Sequence, residues 1–421
     1  MSGRFVVVGL ARVRASWFAE VSSWANAGRV PIDFVKCVSS AEVLVRLDDV
    51  RGASAVIVEA GAAGVDRDLI DTARGRGIPT VVIGTADDET DWCALGAAAV
   101  LPRSFDDDAL MDLLHAVAQP ISTAPVVDAT DRATTPDAAP NAAPLVAVLG
   151  VNGSGTSTVA IALAQGLAGG DDDRSVVLAD LVRRGDQAMY HDARDIVPGF
   201  QELVEAHRGA TPDAERIGEL LFGVDRRGYA LLLGLRRLRD WTALRPRAIE
   251  AALDSLRAQF DVVVADLDHE VDGEAETGSA DLEDRNAATR IALREAAAVV
   301  VTADASLRGL HQLLHIQRDL LDFGVDPARI VTVINRAPRS PRQRAEISAG
   351  LAALSLAPTA LSPVFVAERR NLDLVHSTGD PIPASLVRPL LGALRAVLDQ
   401  CVAPSAIDTA SAATTATVSP R

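Results

Sequence analysis

Residues 144–163, PLVAVLGVNGSGTSTVAIAL, decide the reading of this chain. An apolar run over 145–149 enters the glycine-rich turn Gly150-Val151-Asn152-Gly153-Ser154-Gly155-Thr156-Ser157. Beyond the turn, Val159, Ile161, Leu163 and the alanines between them predict a helix packed on a sheet. Strand, glycine-rich turn and helix are the context a phosphate-binding loop requires, because the turn aims backbone N–H groups at an anion. The spacing fits G-x-x-x-x-G-K-[ST] from Gly150 to Ser157, except that Thr156 stands at the lysine position. The candidate nucleotide contacts are Gly150, Asn152, Gly153, Ser154, Gly155, Thr156, Ser157 and Thr158, with Ser157 also offering a hydroxyl to Mg²⁺. The charge that would neutralise a β/γ-phosphate is missing, and no like-for-like substitute exists, since Lys36 is the only lysine in the chain. The loop therefore predicts weak binding of ATP with Mg²⁺, and no residue stands out as catalytic.

Outward from the loop, the length of 421 residues leaves room for two or three cores. Apolar residues make up 48% and aromatics only 4%, so the cores are built from Ala, Val and Leu, which suits α/β layers. A net charge of −16 argues against a general nucleic-acid binder. Cys37, Cys93 and Cys401 form no CxxC motif and no paired framework, which predicts a reducing, cytoplasmic setting. No apolar run reaches the ~18–20 residues of a membrane-spanning helix, and the N-terminus lacks a signal-peptide pattern.

Residues 1–120 alternate strand and helix, with strands expected at 4–10, 32–38, 55–59, 80–84 and 98–101 and a last helix over 107–117. The rhythm resembles a response-regulator receiver, a flavodoxin-like fold. Glu59 ends the third strand, where a receiver carries its phosphorylated Asp; Thr85 follows the fourth, and Arg103 stands at the position of the receiver lysine. Gly9-Leu10-Ala11 replaces the acidic pair that would hold Mg²⁺. Glu59 as a permanent phosphate mimic is one reading; the plainer one is an inert domain kept for docking. Residues 121–143, rich in Ala, Thr, Pro and Asp, predict a flexible linker, and 402–421 a disordered tail.

The second domain, 144–401, predicts strands at 175–180, 229–235, 260–266, 298–302, 330–335 and 362–365. Helices are expected over 247–259, 285–297, 307–323, 345–354 and 384–398, and a solvated acidic loop over 268–284. The strand at 175–180 runs to Asp180 and that at 260–266 to Asp266; carboxylates at the ends of parallel strands beside a phosphate loop face one crevice, so Ser157, Asp180 and Asp266 are the candidate Mg²⁺ ligands. Asn335 and Arg336 follow another strand, where the amide can read an adenine edge.

These pieces, in this order, resemble the MinD/ParA family of deviant Walker ATPases over about 144–400. Asp180 with Gly185-Asp186 is similar to that family's first switch, FDVVVADLD to its Walker B strand, Asn335-Arg336 to its base-binding pair, and SPVFVAERRNLDLVHSTGDPIP to its closing segment. With a pseudo-receiver in front, the arrangement is most similar to the CpaE/TadZ branch. The resemblance implies a P-loop NTPase-like domain with a mostly parallel sheet and a role in placing pilus, secretion or septum machinery. It also implies protein partners at such assemblies and a homodimer. Three departures fall in one site: Val151 and Thr156 stand at the family's two lysines, and Val182 at the aspartate that orients water. Two readings follow: a degenerate nucleotide-binding regulator or scaffold, and a slow Mg²⁺-dependent ATPase in which Arg183 or Arg184 replaces the lysine. The plainer expectation for both arginines is a solvated loop.

Overall fold

The computed structural model describes residues 4–12, 15–47, 52–85, 90–120, 142–170, 174–354 and 362–402. The expected linker, apart from its last two residues, and the expected tail beyond Val402 lie outside them, as does the side chain of Cys401. The chain divides into two compact units. One takes Met1–Ala142, Gln201–Leu220 and Asp240–Ser255; the other takes Ala143–Phe200, Leu221–Arg239 and Leu256–Arg421.

The first unit holds five strands: β1 (Phe5–Leu10), β2 (Ile32–Cys37), β3 (Ala55–Glu59), β4 (Thr80–Ile83) and β5 (Ala99–Leu101). They pair in the order 2-1-3-4-5, all parallel, which is the flavodoxin-like arrangement. Runs of Val and Ile build both faces: Val8, Val56, Val58 and Val82 pack under one set of helices, while Val7, Ala55, Ile57 and Val81 pack under the other. The helix Arg67–Gly75 is capped by Asp66, whose carboxylate accepts from Leu69 N–H and pairs with Arg208 at 2.9 Å. Arg67 donates to the carbonyl of His207 at 2.7 Å, and Asp68 accepts from Arg247 N–H at 3.0 Å, so the segments 201–220 and 240–255 are bonded to this helix.

The second unit holds β6 (Leu145–Gly150), β7 (Val176–Asp180), β8 (Phe222–Val224), β9 (Tyr229–Leu232), β10 (Val262–Asp266), β11 (Ala296–Asp304), β12 (Ile330–Ala337) and β13 (Val364–Ala367). The sheet order is 13-12-11-6-10-7-9-8, parallel except for the β8–β9 hairpin. Every residue of β6, β7 and β10 is buried, as strands covered on both faces must be. On one face the helices Thr156–Ala168 and Ala384–Val402 pack side by side over Val146, Val148, Leu178, Val264 and Val300. Gly166 sets their approach: a Cβ there would stand 2.5 Å from Cγ1 of Val387. Gln165 ties the first helix to the segment preceding the second, donating to Ile382 O at 2.9 Å and accepting from Ile382 N–H at 2.7 Å.

Beyond shifted boundaries, several stretches differ from expectation. The acidic loop over 268–284 is largely exposed, as expected, but contains the helical turns Glu274–Thr277 and Ala280–Arg285, and some of its acids pair with arginines: Glu270 with Arg183 and Arg285, Glu276 with Arg290. The helix expected to run to 297 ends at Glu295, and the alanines that follow open β11 instead, where Ala296 and Ala298 are buried in register with Leu145 and Val146 of β6.

Candidate functional site

The glycine-rich turn leaves β6 at Gly150, packed so tightly on the carbonyl of Thr302 that no side chain fits there. Gly153 (φ 78°) and Gly155 (φ 91°) take the left-handed conformation the turn needs. The first backbone bond of the helix runs from Val159 N–H to Gly155 O, so the N–H groups of Thr156, Ser157 and Thr158 lie ahead of the helical ladder, where an anion would be met. Gly150, Asn152, Gly153, Ser154, Gly155, Thr156, Ser157 and Thr158 thus form one continuous turn and first helical turn. Its side chains are engaged within the chain. The Ser154 hydroxyl donates to Thr302 O at 3.2 Å and lies 3.3 Å from the Thr156 hydroxyl, while Thr158 shares a hydrogen bond with His376 Nε2 at 3.2 Å. Thr156 therefore brings no charge to the lysine position and turns its hydroxyl onto the loop.

Asn335 braces the turn from outside. It is buried, its Nδ2 donates to Ser154 O at 2.7 Å, its Oδ1 accepts from Arg336 N–H at 2.9 Å, and Gly155 admits it because a Cβ there would stand 2.5 Å from Nδ2. The carboxamide assigned to an adenine edge is engaged at both ends inside the chain. Arg336 is exposed, with a left-handed backbone (φ 49°) uncommon for a side chain of its size. It lines a cavity of about 960 Å³ with Arg339, Arg369 and Arg370, and among the described lining residues Glu368 is the one acid.

Asp180 and Asp266 are cross-strand partners in register at the ends of β7 and β10, so both carboxylates point to the same face. Each is 1% exposed. Burial, then the Asp266 charge, pushes Asp180 well above the usual carboxylate range. It braces its own following turn: Oδ1 accepts from Val182 N–H and Oδ2 from Gln187 N–H, both at 3.3 Å, with Gly185 and Gly234 closed over it. Asp266 is pushed up to about 6 by burial, with the nearby hydroxyl of Ser157 and amide of Gln187 holding it back. Its Oδ2 accepts from Gln187 Nε2 at 2.8 Å; its Oδ1 is buried and, among the described residues, has no hydrogen-bond partner. Ser157 and that free carboxylate oxygen are hard donors that fit Mg²⁺, which commonly takes one or two protein oxygens and completes its shell with phosphate and water. A Mg²⁺ held there would supply neutralising charge beside the turn. Gln187 carries no motif in the sequence, and only the fold shows that it belongs to this site.

Arg183 is neither a replacement for the lysine nor solvated. It is 9% exposed and fixed by Asp268 at 2.7 Å and Glu270 at 2.8 Å, so its charge is taken up by these two acids. Arg184 is exposed. In the first unit, Glu59 is buried at the end of β3 and both of its oxygens are taken by Arg12, through the backbone N–H at 3.0 Å and the guanidinium at 3.0 and 2.9 Å. Arg103 is exposed.

The fold and the turn define a P-loop NTPase-like α/β protein with a second, flavodoxin-like sheet. No family model matches the chain, and no curated protein matches it. Among solved structures, it is similar to ParA/MinD-family ATPases. A plasmid partition protein of Borrelia burgdorferi bound to AMPPNP has a TM-score of 0.46 at 14% identity, covering 61% of this chain and 99% of that one. A ParA family ATPase of Chlorobium tepidum has a TM-score of 0.46 at 14% identity, covering 62% and 100%. The septum site-determining protein MinD of Pyrococcus horikoshii, complexed with Mg-ADP, has a TM-score of 0.41 at 15% identity, covering 62% and 94%. Among the described residues, no helix is long and apolar enough to cross a membrane.

Proposed function

We propose that the chain is a MinD/ParA-like spatial regulator or scaffold of the CpaE/TadZ type, whose degenerate P-loop holds ATP or ADP weakly with Mg²⁺ and turns over little of it. The observation that carries this reading is Thr156: the turn, its glycines, Ser157 and Asp266 are all built, while the lysine position within the turn holds a hydroxyl folded onto Ser154. Phosphoryl transfer runs on positioning and charge, and both the clamp and the water-orienting acid are absent. Arg336 and its neighbouring guanidinium groups offer planar, positive surfaces for a nucleotide's base or outer phosphates.

In this reading residues 1–120 are a pseudo-receiver, 121–143 a linker, 144–401 the P-loop domain and 402–421 a tail. The Glu59–Arg12 pair supports a docking role for the front domain, since the acceptor position is already neutralised by a cation of the chain itself. Its partners are cytoplasmic proteins of a pilus, secretion or division assembly, with a second copy of the chain as a further partner. Equilibrium binding of ATP and ADP to the full chain, with and without Mg²⁺, tests the core of the proposal. Mg²⁺-dependent binding in the micromolar range with slow turnover is expected; no binding at millimolar nucleotide would sink it.

A further inference from the structure

Gln187 opens the short helix Gln187–Tyr190, and its side chain is completely buried. Nε2 lies 2.8 Å from Oδ2 of Asp266 and 3.4 Å from the carbonyl of Ser157. Both neighbours are acceptors, which fixes the orientation of the carboxamide and puts its positive end between the end of β10 and the first turn of the P-loop helix. The main chain of Gln187 is held from both sides. Its N–H donates to Asp180 at 3.3 Å, and its carbonyl bonds to His191 Nδ1 at 2.7 Å. His191 is in turn fixed through Nε2 by the Tyr229 hydroxyl at 2.6 Å.

Within this pair, what remains unsatisfied is of one sign. Among the described residues, Oδ1 of Asp266 and Oε1 of Gln187 are both buried acceptors without a hydrogen-bond partner. Each such orphan is costly, and natural proteins keep few of them. Two in one carboxamide–carboxylate pair mark a pocket that calls for more positive charge than an N–H dipole supplies.

We propose that Gln187 is a plug: its carboxamide nitrogen stands on Asp266 in the place of a divalent cation, and the cation must displace it to bind. This deepens the nucleotide-site reading and rests on it only for the cation being Mg²⁺. With the plug in, Asp266 is covered and half satisfied; with it out, both carboxylate oxygens and the Ser157 hydroxyl face one space. Because Gln187 is also tied through its main chain to Asp180 and His191, expelling its side chain pulls on the whole turn 181–191. Cation entry is thereby coupled to the segment beside the P-loop.

The test uses the full chain and Mn²⁺ alone, read by the loss of the free-ion electron paramagnetic resonance signal, so that no nucleotide is involved. Gln187→Met keeps the volume and removes the donor; Gln187→Ala removes both. Either variant is expected to bind Mn²⁺ about tenfold more tightly than the unsubstituted chain, and adding Asp266→Asn is expected to abolish the gain. Unchanged or weaker binding in both variants overturns the proposal, because Gln187 is then a bystander or a ligand. Absence of Mn²⁺ binding to every variant at millimolar ion also overturns it, since uncovering Asp266 should create a site. If the variants gain Mn²⁺ affinity while ATP and ADP fail to bind, the plug stands and the proposed function falls.

Discussion

At the scale of single residues, Thr156 and Asn335 decide what the P-loop can do. Thr156→Lys places an ammonium where a phosphate's charge falls, and a hydrogen bond to a charged group contributes about 1.5–3 kcal/mol. The affinity for Mg-ATP, measured by calorimetry, is expected to rise about 10- to 100-fold; no gain would show that more than the clamp is lost. Asn335→Ala leaves the Ser154 carbonyl without its 2.7 Å donor. Thermal unfolding should report a loss of about 1–3 kcal/mol, and an unchanged midpoint would mean water replaces the amide. Thr156 was legible in the sequence because it breaks a spaced pattern, and Asn335 because it ends an apolar strand. The partner of Asn335 was not legible, nor was Gln187, whose role depends on a carboxylate that only the sheet brings near. Arg183 misled for the same reason: its acids lie 85 and 87 residues away.

At the scale of elements, the P-loop helix is also held near its far end. Gln165 exchanges two hydrogen bonds with the backbone of Ile382. Gln165→Leu leaves a donor and an acceptor unpaired, and a loss of about 2–4 kcal/mol in chemical denaturation is expected, from two groups at 1–2 kcal/mol each. A loss below ~0.5 kcal/mol would show the segment held by packing alone. The helix Arg67–Gly75 carries a pH response. Burial pushes Asp68 up to about 6, more than the helix N-terminus and Arg247 N–H lower it. The unfolded value is about 3.9, so native Asp68 holds its proton more tightly, and stability falls as pH rises from about 4 to 6. Asp68→Asn keeps an acceptor for Arg247 and removes the titration. Its gain in melting temperature should be largest above pH 7 and fade towards pH 4; a gain that does not change with pH would contradict this. The strands themselves were readable because buried parallel strands are runs of Val, Ile and Ala. β8 was not: three residues of an edge hairpin, two of them exposed, leave no apolar run.

At the scale of the whole molecule, composition and topology answer different questions. A charge of −16 set no limit on a local basic site, and four arginines gather around one cavity beside Asn335. The alternation of strand and helix gave both sheets, but the segments that complete the first unit come from far along the chain, which no local pattern records. That has a direct consequence for any shortened protein. A fragment of residues 144–402 keeps Gln201–Leu220 and Asp240–Ser255 but loses the helix they are bonded to. Arg208 loses Asp66, the His207 carbonyl loses Arg67, and Arg247 N–H loses Asp68. Three lost hydrogen bonds, at a net of about 1 kcal/mol each, take a substantial share of the 5–15 kcal/mol that a domain has. The fragment is therefore expected to melt well below the full chain in a calorimetric scan and to self-associate in sedimentation. A midpoint equal to that of the full chain would show that these bonds contribute nothing to stability, and that the P-loop half folds without residues 1–142.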